Sequence, residues 1–546
     1  MHKPFAITLE VGSSLANHTG SWRTERPVYR NFLPPCNHSC PAGEDIQGWL
    51  YHAEGGEYRK AWQKLVENNP LPAIMGRACY HPCESACNRG QLDEPVSIHA
   101  VERFLGDLAI ENEWQFEPAA KSGKHVLVVG SGPSGLSAAY QLARLGYGVT
   151  IYEAESKPGG MMRYGIPQYR LPRAVLDAET QRIQNMGVKF ELDRKVDDLS
   201  SVMAEGGFDA VFLAVGAHLA KRAYIPAGDA RKILDALDLL RRVEVGERAQ
   251  LGRRVVVYGG GNTALDAART AKRLGATEAL VVYRRTRERM PAHESELHEA
   301  VEEGIKMKWL STIKAEEENQ VLLEKMVLDE DGFPQPTGEF ETIEADCLVL
   351  ALGQDVDLAF LNRTGGIETV GGAVKVDSQM MTGCPGVFAG GDMVGVDRTI
   401  TNAVGHGKKA ARCIDAFLRG TMYVPGPKNP LADFNRLNTW YYSDAPQTVQ
   451  STLELARRES TFTEIAKGLD QSNALFEARR CLSCGNCFEC DNCYGVCPDN
   501  AVIKLGEGRG FQINYDYCKG CGLCAAECPC GAIDMIPESG AITMHN

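Results

Sequence analysis

The pattern of apolar and polar residues changes twice along the chain. In "IQGWLYHAEGGEYRKAWQKLV", residues 46–66, apolar side chains recur every three or four positions, which predicts helices. Strand-like runs are few before residue 115, and five cysteines lie between Cys36 and Cys87. We therefore expect a small helical domain with cysteine-bearing loops over residues 1–115.

From residue 124 onward the pattern becomes buried strand, glycine turn, helix and second strand. "HVLVVGSGPSGLSAAYQLARLGYGVTIYEA" has this order, and "RRVVVYGGGNTALDAARTAKRLGATEALVVYRR" repeats it. Two further apolar runs, "FDAVFLAVG" and "DCLVLALG", predict buried strands that end in glycine turns. The pattern predicts a multidomain α/β protein with two Rossmann-like dinucleotide-binding domains.

The order of these runs predicts that the second dinucleotide-binding domain is inserted into the first. After a "YVPGPKNP" linker, "TLELARRES" and "AKGLDQSNALFEARR" predict polar connecting helices. The last 66 residues are rich in cysteine and glycine. The predicted domains are a helical domain at 1–115, a first dinucleotide-binding domain at 121–225 and 335–425, a second at 226–334, connecting helices at 426–480 and a cysteine-rich domain at 481–546.

Length and charge exclude several classes of protein. A chain of 546 residues is too long for one hydrophobic core. Its formal net charge of -13 argues against a general nucleic-acid or anionic-membrane binder. The start "MHKPFAITLE" lacks the basic and apolar segments of a signal peptide, and no run approaches the roughly 18 apolar residues of a membrane helix. We expect a cytoplasmic protein without nucleic-acid or membrane partners.

Nineteen cysteines indicate metal binding rather than disulfides, because in a cytoplasmic chain they cluster at spacings of two and three residues. Eleven of them follow residue 480. Between residues 120 and 480 only Cys347, Cys384 and Cys413 occur, each alone in an apolar or turn context that predicts a structural thiol. The dinucleotide-binding domains therefore have no predicted redox-active cysteine pair.

The first glycine motif predicts an adenine dinucleotide site. Gly130, Gly132 and Gly135 follow a strand and open a helix, so the backbone can approach a pyrophosphate at the helix N-terminus. Glu153 ends the next strand, where a carboxylate suits the hydroxyls of an unmodified ribose, as in FAD or NAD. The alternative for a motif of this kind is a set of turn glycines without a ligand.

The second motif has the corresponding residues Gly259, Gly261, Asn262 and Ala264. A nucleotide is again predicted at the N-terminus of the following helix.

The second strand of this unit ends in basic residues instead of an acid. Arg284 and Arg285 stand in the place of the carboxylate, with Arg287 and Arg289 close behind. Guanidinium groups there can bind a 2'-phosphate, which favours NADP(H), with NAD(H) as the alternative. A solvated basic loop is the other interpretation. Two dinucleotide sites in one chain indicate hydride transfer between a nicotinamide and a flavin, without an acid-base catalytic residue.

Several segments resemble the glutamate synthase small-subunit family of iron-sulfur flavoproteins. They are "GGMMRYGIPQYRLP", "GGGNTALDAAR", "VYRRTRERMPA" and "VFAGGDMVGVDRTITNAVGHGKKAA", and the resemblance covers residues 36 to about 420. It implies that NADPH binds the second glycine motif and FAD the first. The further FAD-binding residues that it implies are Glu153, Gly160 and Arg163 of the "GGMMRYGIP" loop, Gly391, and Asp392, whose carboxylate would hold a ribityl hydroxyl.

The C-terminal cysteines follow the bacterial ferredoxin motif twice. The spacing CxxCxxCxxxCP begins at Cys487 in "CGNCFECDNCYGVCP" and occurs again from Cys518 in "CKGCGLCAAECP". In each case a proline follows the last cysteine. In this motif three cysteines hold one 4Fe-4S cluster and the fourth reaches the other cluster, whereas zinc sites use paired CxxC spacing. The predicted ligand sets are Cys487, Cys490, Cys493 and Cys528 for one cluster, and Cys518, Cys521, Cys524 and Cys497 for the other.

The resemblance also implies two 4Fe-4S clusters in the N-terminal domain. Following the interleaved ligation of the family, Cys40, Cys79 and Cys83 would hold one cluster, with Glu102 at the position of a side-chain oxygen ligand. Of the four opening cysteines of the family only Cys36 and Cys40 are present, in "VYRNFLPPCNHSCPAG".

Cys36 and Cys87 are then only half of a second ligand set. We hypothesise that Cys481 and Cys484, in "EARRCLSCGNC", supply the missing two ligands from the other end of the chain. The alternative is that this cluster has been lost and these cysteines are spare thiols. The predicted number of clusters is four, or three if Cys481 and Cys484 are not ligands.

These features together predict an oxidoreductase that moves electrons between NAD(P)H and a ferredoxin or a partner enzyme. The fused ferredoxin resembles flavoproteins that serve 2-oxoacid:ferredoxin oxidoreductases, and the related flavoprotein subunit of dissimilatory sulfur metabolism. We expect an electron-transfer subunit of a hetero-oligomer. The alternatives are a glutamate synthase small subunit with a fused ferredoxin, and an electron-carrying scaffold without catalytic activity.

Overall fold

Two buried tryptophans, Trp49 and Trp62, lie at the centre of the helical N-terminal domain. The computed structural model describes residues 18–19, 23–221, 233–317, 320–395 and 397–538. The elements of this domain are β1 (Glu25–Tyr29), α1 (Pro35–Ser39), α2 (Ile46–Glu54), α3 (Tyr58–Val66), α4 (Pro72–Ala78), α5 (Pro82–Ser85) and α6 (Ile98–Glu111). Cys79 ends α4, and the other cysteines of this domain lie on or just after the short helices α1 and α5, each of which begins at a proline.

The first α/β domain begins at His125 with a strand whose side chains are almost all buried. A tight turn at Gly130, whose φ is +102°, joins this strand to a helix with proline at its first position. Its first elements are β2 (His125–Val129), α7 (Pro133–Arg144), β3 (Gly148–Tyr152), α8 (Met161–Tyr164), α9 (Arg173–Asn185), β4 (Lys189–Glu191), α10 (Leu199–Glu205), β5 (Ala210–Leu213) and β6 (Leu219–Ala220).

The second α/β domain repeats the strand, turn and helix. Its elements are β7 (Ile233–Asp235), α11 (Ala236–Glu244), β8 (Arg254–Tyr258), α12 (Asn262–Arg273), β9 (Glu278–Val282), α13 (Glu294–Glu302), β10 (Lys306–Lys308), β11 (Ser311–Glu317), β12 (Gln320–Leu328), β13 (Pro334–Glu344) and β14 (Cys347–Leu350). The parallel sheet has the order β10-β9-β8-β14-β7, and β11, β12 and β13 form a separate antiparallel sheet.

The sheet of the second domain includes a strand that the sequence assigns to the first. We expected the second domain to end at residue 334, but β14 lies between β8 and β7, with Cys347 opposite Val255 and Leu348 opposite Ile233. The domain therefore extends to Leu350. A short apolar run shows that a strand is buried and does not show which of two neighbouring sheets receives it.

The chain then returns to the first α/β domain. The returning elements are β15 (Gln354–Asp355), β16 (Thr369–Val370), β17 (Ala373–Val374), β18 (Val387–Ala389) and α14 (Ile400–Leu418). The strand β18 completes a five-stranded parallel sheet of the order β18-β5-β2-β3-β4. The described residues thus show one α/β domain inserted into another, and among them no helix is long and apolar enough to cross a membrane.

Helix α14 joins the N-terminal domain to the first α/β domain. A side chain at Gly405 would collide with the carbonyl of Pro41, and one at Gly407 with the carbonyl of Ser134 on α7. Lys408, also on α14, is buried and its Nζ donates to the carbonyls of Ala42 and Gly43. These contacts hold the cysteine-bearing loops of the N-terminal domain against the first α/β domain.

The C-terminal domain shares its sheet with the N-terminal residues of the chain. The last elements are α15 (Leu455–Arg458), α16 (Gln471–Arg479), α17 (Asn492–Gly495), β19 (Val502–Lys504), β20 (Phe511–Ile513), α18 (Leu523–Ala526) and β21 (Ile533–Pro537). Strand β1 pairs antiparallel with β21, from Glu25 opposite Pro537 to Tyr29 opposite Ile533. We expected residues 1–115 to form a separate helical domain, but this strand belongs to the C-terminal sheet.

Candidate functional site

A cavity of about 1330 Å³ is lined by the glycine loops of both α/β domains. A Cβ atom added to Gly132 or to Gly261 would meet nothing within 4 Å, so both positions face open space. Each loop therefore lets a ligand approach the backbone at the start of a helix, α7 or α12. This is the arrangement that a dinucleotide pyrophosphate needs.

The three glycines of the first motif have three different surroundings. A side chain at Gly130 would meet the carbonyl of Ala214, and one at Gly135 would meet the carbonyl of Gly130. Gly130 and Gly132 both line the cavity, but of the three glycines only Gly132 has open space where a side chain would stand. The first glycine therefore allows the turn, the second allows the ligand to approach, and the third packs the helix against the strand, as the spacing predicts.

The carboxylate of Glu153 lies at the cavity wall, held in place by hydrogen bonds from the glycine loop. Its Oε2 accepts from the backbone N–H of Ser131 at 2.9 Å and from the Ser131 hydroxyl, and its Oε1 accepts from the N–H of Glu155 at 2.9 Å. Glu153 is buried and lines the cavity. It occupies the position predicted for a ribose-binding acid.

The other predicted FAD-binding residues divide into two groups. Gly160, Gly391 and Asp392 line the cavity. Burial raises the pKa of Asp392, although the charge of Arg398 acts to lower it. Arg163 does not line the cavity. Its buried guanidinium donates to the carbonyl of Pro158 and pairs with Asp177 and Glu244, so it fastens the loop instead of contacting the ligand space.

The second glycine motif reproduces this arrangement. A side chain at Gly259 would collide with the carbonyl of Ala351, Gly261 is open, and Ala264 is fully buried under the turn. Asn262 lines the cavity, and its Oδ1 accepts from the N–H of His293 at 2.9 Å. The second loop thus has the same open approach to a helix N-terminus as the first.

Two of the four arginines that follow this strand face the cavity. Arg284 and Arg285 line it, and neither forms an ion pair with another described residue. Arg287 instead pairs with Glu294 at the surface. The guanidinium of Arg289 lies against Gly332, outside the cavity lining. The unpaired guanidiniums of Arg284 and Arg285 fit a phosphate on the ribose, and Arg289 does not take part.

The cavity also contains residues that its glycine motifs do not reveal. Cys79 and Tyr80 of the N-terminal domain line it, beside Thr401 at the start of α14. The sulfur of Cys79 lies 3.0 Å from the hydroxyl oxygen of Thr401, and the ring of Tyr80 stacks on His293 at 4.7 Å. A predicted metal ligand therefore forms part of the wall of the nucleotide cavity. The only indication in the sequence that Tyr80 lies near this cavity is its position directly after Cys79.

The inner site is the group formed by Cys40, Cys79, Cys83 and Glu102. Burial raises the pKa of the Cys83 thiol, and the neighbouring Cys79 and Cys40 thiols raise it further. Burial also raises the pKa of Cys40, which lies near Glu102 and Cys79. The structure therefore brings the four side chains together, as the family resemblance implies.

Glu102 has an oxygen available for a ligand. Its Oε1 accepts from the Asn69 amide at 2.7 Å, and Asn69 also donates to Glu44 at 3.0 Å. Among the described residues no donor is found for Oε2 of Glu102. Burial, with the nearby Glu44, raises the pKa of Glu102 well above its usual value. A positive iron centre at this position would stabilise the ionised carboxylate.

The split site is the group formed by Cys36, Cys87, Cys481 and Cys484. All four line one small cavity, and the amide of Asn88 donates to the sulfur of Cys484 at 3.4 Å. Burial raises the pKa of the Cys36 thiol, and the other three thiols raise it further. The structure thus places the cysteines as the hypothesis of ligands from both chain ends requires.

Arg480 anchors the segment that contains Cys481 and Cys484 to the N-terminal domain. Its guanidinium is buried and donates to the carbonyls of Pro95 and Glu94 at 2.9 and 2.7 Å and pairs with Asp93. The buried Glu477 accepts from the N–H of Ser97 at 3.0 Å. These contacts fix the end of α16 against the N-terminal domain, directly before Cys481.

The two predicted ferredoxin ligand sets form two further sites. The third site is the group formed by Cys487, Cys490, Cys493 and Cys528. The outer site is the group formed by Cys497, Cys518, Cys521 and Cys524. In the third site, burial raises the pKa of Cys487, and Cys493, Cys528 and Cys490 raise it further. The four predicted ligands of the outer site line one small cavity together with residues such as Pro27 of β1. The fourth cysteine of each motif lies with the other three-cysteine loop, as predicted.

Two residues between the split site and the third site were not predicted. The sulfur of Cys530 lies 3.8 Å from that of Cys528, and the carbonyl of Cys530 accepts from the N–H of Gly485 at 2.6 Å. Tyr442 donates to the carbonyl of Leu482 at 2.9 Å. Cys530 follows the ferredoxin motif by two residues and Tyr442 lies in an irregular segment, so spacing gave no signal for either.

The four groups fit iron-sulfur clusters better than single metal ions. No three cysteine, histidine or acidic side chains of the described residues converge closely enough to hold one ion. A 4Fe-4S cluster needs four ligands spread around a cube, one for each iron. The four groups each have four predicted ligands, and those of the split site and of the outer site each line a small cavity.

Three family models match parts of the chain. Residues 120–407 match the pyridine nucleotide-disulphide oxidoreductase family, residues 24–114 match the dihydropyrimidine dehydrogenase domain II with a 4Fe-4S cluster, and residues 486–532 match the 4Fe-4S dicluster domain. They confirm the predicted cofactor classes, which are FAD, NAD(P)H and 4Fe-4S clusters.

Two relatives match most of the chain. The NADP(+)-dependent formate dehydrogenase subunit beta of Moorella thermoacetica is 35% identical over 514 residues, which cover 84% of this chain and 71% of the relative. The NADPH-Fe(3+) oxidoreductase subunit beta of Geobacter sulfurreducens is 33% identical over 511 residues, covering 83% and 75%. Among solved structures, Mycobacterium tuberculosis FprA with NADPH covers 56% of this chain and 87% of its own at 18% identity, with a TM-score of 0.47.

The family match spans more than half of the chain and includes both glycine motifs. The chain therefore belongs to the pyridine nucleotide-disulphide oxidoreductase family and is an iron-sulfur flavoprotein.

Proposed function

We propose that this protein moves electrons between NADPH and a ferredoxin or a partner redox enzyme, through FAD and four 4Fe-4S clusters. The observation that carries the proposal is the continuity of the ligand groups. They begin at Cys79 in the wall of the nucleotide cavity and end at Cys521, which is exposed. Reduction at the cavity is in this way connected to the protein surface.

Neighbouring groups share elements of the fold. Cys36 and Cys40 flank one turn of α1, so the inner site and the split site lie side by side. Cys484 and Cys487 belong to one loop, which joins the split site to the third site. The third and outer sites exchange their fourth cysteines across α17 and α18. Each step along the route is therefore a step between adjacent ligand groups.

The residues of the cavity bind and orient the two nucleotides. The α7 loop, Glu153 and Asp392 would hold FAD, which supplies the conversion between hydride and single-electron chemistry. The α12 loop with Arg284 and Arg285 would hold NADPH. No side chain has to donate or accept a proton in hydride transfer, so the work of the protein there is alignment and exclusion of water.

The redox partner is the remaining part of the proposal. Both relatives are named as beta subunits, which supports a role as the electron-transfer subunit of a hetero-oligomeric complex. We propose a 2-oxoacid:acceptor oxidoreductase or a dissimilatory sulfur-metabolism complex as the class of partner, because the sequence resembles flavoproteins of those systems.

Anaerobic rapid mixing with NADPH tests the function. We expect the flavin absorbance to bleach first and the iron-sulfur absorbance to follow, with reduction of an added ferredoxin afterwards. NADH should react more slowly. Absence of flavin bleaching with either nucleotide would support the carrier scaffold and overturn the oxidoreductase. Copurification with a large amidotransferase chain would favour the glutamate synthase subunit.

A double variant separates the two ends of the route. Cys481→Ser with Cys484→Ser should leave flavin bleaching by NADPH intact, because these residues lie outside the nucleotide cavity. Ferredoxin reduction should fall strongly, since the split site lies between the inner and third sites. Unchanged ferredoxin reduction would show that electrons leave by another route.

A further inference from the structure

The two ends of the chain complete each other's ligand sites. Cys481 and Cys484 come from the C-terminal part to meet Cys36 and Cys87. In the opposite direction, β1 joins the C-terminal sheet along five residue pairs. The second exchange brings the side chains of the N-terminal segment onto the ferredoxin sites.

Side chains of the N-terminal segment contact the backbone of the outer site. The Thr19 hydroxyl and one nitrogen of Arg23 each donate to the carbonyl of Cys518 at 2.8 Å. The guanidinium of Arg26 lies over the ring of Tyr515. These contacts dock the segment, and none of them reaches a sulfur atom.

Tyr29, the last residue of β1, does reach a sulfur. Its hydroxyl donates to Sγ of Cys493 at 3.2 Å. Its ring packs on Phe511 of the hairpin β19–β20, with the ring centroids 6.2 Å apart. Packing on Phe511 therefore holds the ring in place, and the hydroxyl donates its hydrogen bond to the sulfur of Cys493.

We propose that Tyr29 is a positioning residue that raises the reduction potential of the cluster at the third site. If a cluster bound at this site took up one electron, the negative charge on its ligand sulfurs would increase. A hydrogen bond to a ligand sulfur stabilises the reduced form more than the oxidised form, which raises the potential. The phenol proton stays on Tyr29 throughout, so only the electron is transferred.

This inference rests on the proposed electron route, because it concerns one cluster of that route. It adds that β1 tunes the ferredoxin sites as well as completing their sheet. A strand from the opposite end of the chain then sets how readily the third site accepts an electron from the split site.

The test is a redox titration of the full chain, purified without oxygen and followed by electron paramagnetic resonance. Tyr29→Phe keeps the ring on Phe511 and removes only the hydroxyl. We expect one cluster to become harder to reduce by roughly tenfold in its redox equilibrium, which is about 59 mV for one electron. The other clusters should keep their potentials, and iron and flavin contents should not change.

Tyr515→Phe is the matched control. The Tyr515 hydroxyl donates to the carbonyl of Pro27 at 2.9 Å, on the same strand, and so supports docking without touching a sulfur. It should leave every potential unchanged. As a second readout, proton double resonance of the reduced wild type in deuterated buffer should show an exchangeable proton near the third cluster that Tyr29→Phe lacks.

Three results would overturn the proposal. The first is unchanged potentials in Tyr29→Phe with full iron content, and the second is an equal shift in both variants. The third is loss of iron in Tyr29→Phe alone, which would make Tyr29 a folding residue. Missing iron in the wild type or failure of flavin bleaching would count against the proposed function, so the two failures are distinguishable.

Discussion

Cys36 and Cys481 face the same small cavity although they lie near opposite ends of the chain. Cys36 is on α1, and Cys481 follows the end of α16, where Arg480 is anchored to the N-terminal domain. The cavity is therefore formed by packing between the two ends. A ligand group of this kind can hold a cluster only after the C-terminal part has docked.

Replacing the C-terminal half of the split site should remove one cluster. Four 4Fe-4S clusters contain about sixteen irons, so Cys481→Ser with Cys484→Ser should leave about twelve. Flavin content should stay the same, because the nucleotide cavity is separate. Iron and flavin are measured per chain after anoxic purification. Cys384→Ser, at a half-buried cysteine outside the four groups, is the control and should retain all the iron.

Glu102 is expected to be the fourth ligand of the inner site. Glu102→Ala should lose the iron of that cluster, up to about four per chain. Glu102→Gln should retain more iron, because an amide oxygen remains at the same place. Glu44→Gln is the control, since Glu44 shares the Asn69 amide with Glu102 and is not a predicted ligand. Equal iron in all three variants would mean that the inner site has another fourth ligand.

The arginines of the second α/β domain are expected to select NADPH over NADH. Removing both guanidiniums in Arg284→Ala with Arg285→Ala deletes two charge-assisted contacts worth about 1.5 kcal/mol each, so KM for NADPH should rise roughly hundredfold. KM for NADH should change little. Arg287→Ala, which breaks only the surface pair with Glu294, should leave both values unchanged. A similar rise for both nucleotides would argue against recognition of a 2'-phosphate.

The sequence predicts those parts of the site that depend on local spacing. Gly132 and Gly261 open into the cavity because a strand, turn and helix place them there, and the cysteine motifs group as their spacing predicts. Arg163 and Arg289 were expected at the ligands and lie elsewhere, since the direction of a long side chain depends on its tertiary partners. Tyr29 could not be predicted because its role depends on a sheet formed across the whole chain.

Glu303 connects the second α/β domain to the connecting helices. Its side chain is fully buried and accepts from Arg269 at 3.0 Å and from Arg273 at 2.8 Å, both on α12. Arg458 of α15 reaches it at 3.4 Å. Burial opposes ionisation of this carboxyl, but the hydrogen bonds from Arg269 and Arg273 outweigh that effect and lower the pKa of Glu303 to about 2.

Neutralising Glu303 should therefore destabilise this junction. A pKa lowered from 4.5 to about 2 corresponds to about 3 kcal/mol. Because the folded pKa lies below the unfolded one, this stabilisation is complete above about pH 4.5 and is lost as the pH falls toward about 2.

Glu303→Gln should speed amide hydrogen exchange in peptides of α12 and α15 at about pH 7, and its difference from wild type should shrink in acid. Glu302→Gln removes the half-exposed carboxylate that pairs with Arg458 at 3.0 Å and leaves the buried Glu303 in place, so it should have a much smaller effect. Equal exchange in Glu303→Gln and wild type at about pH 7 would show that the buried charge contributes no net stability, as happens where desolvation cancels the gain from pairing.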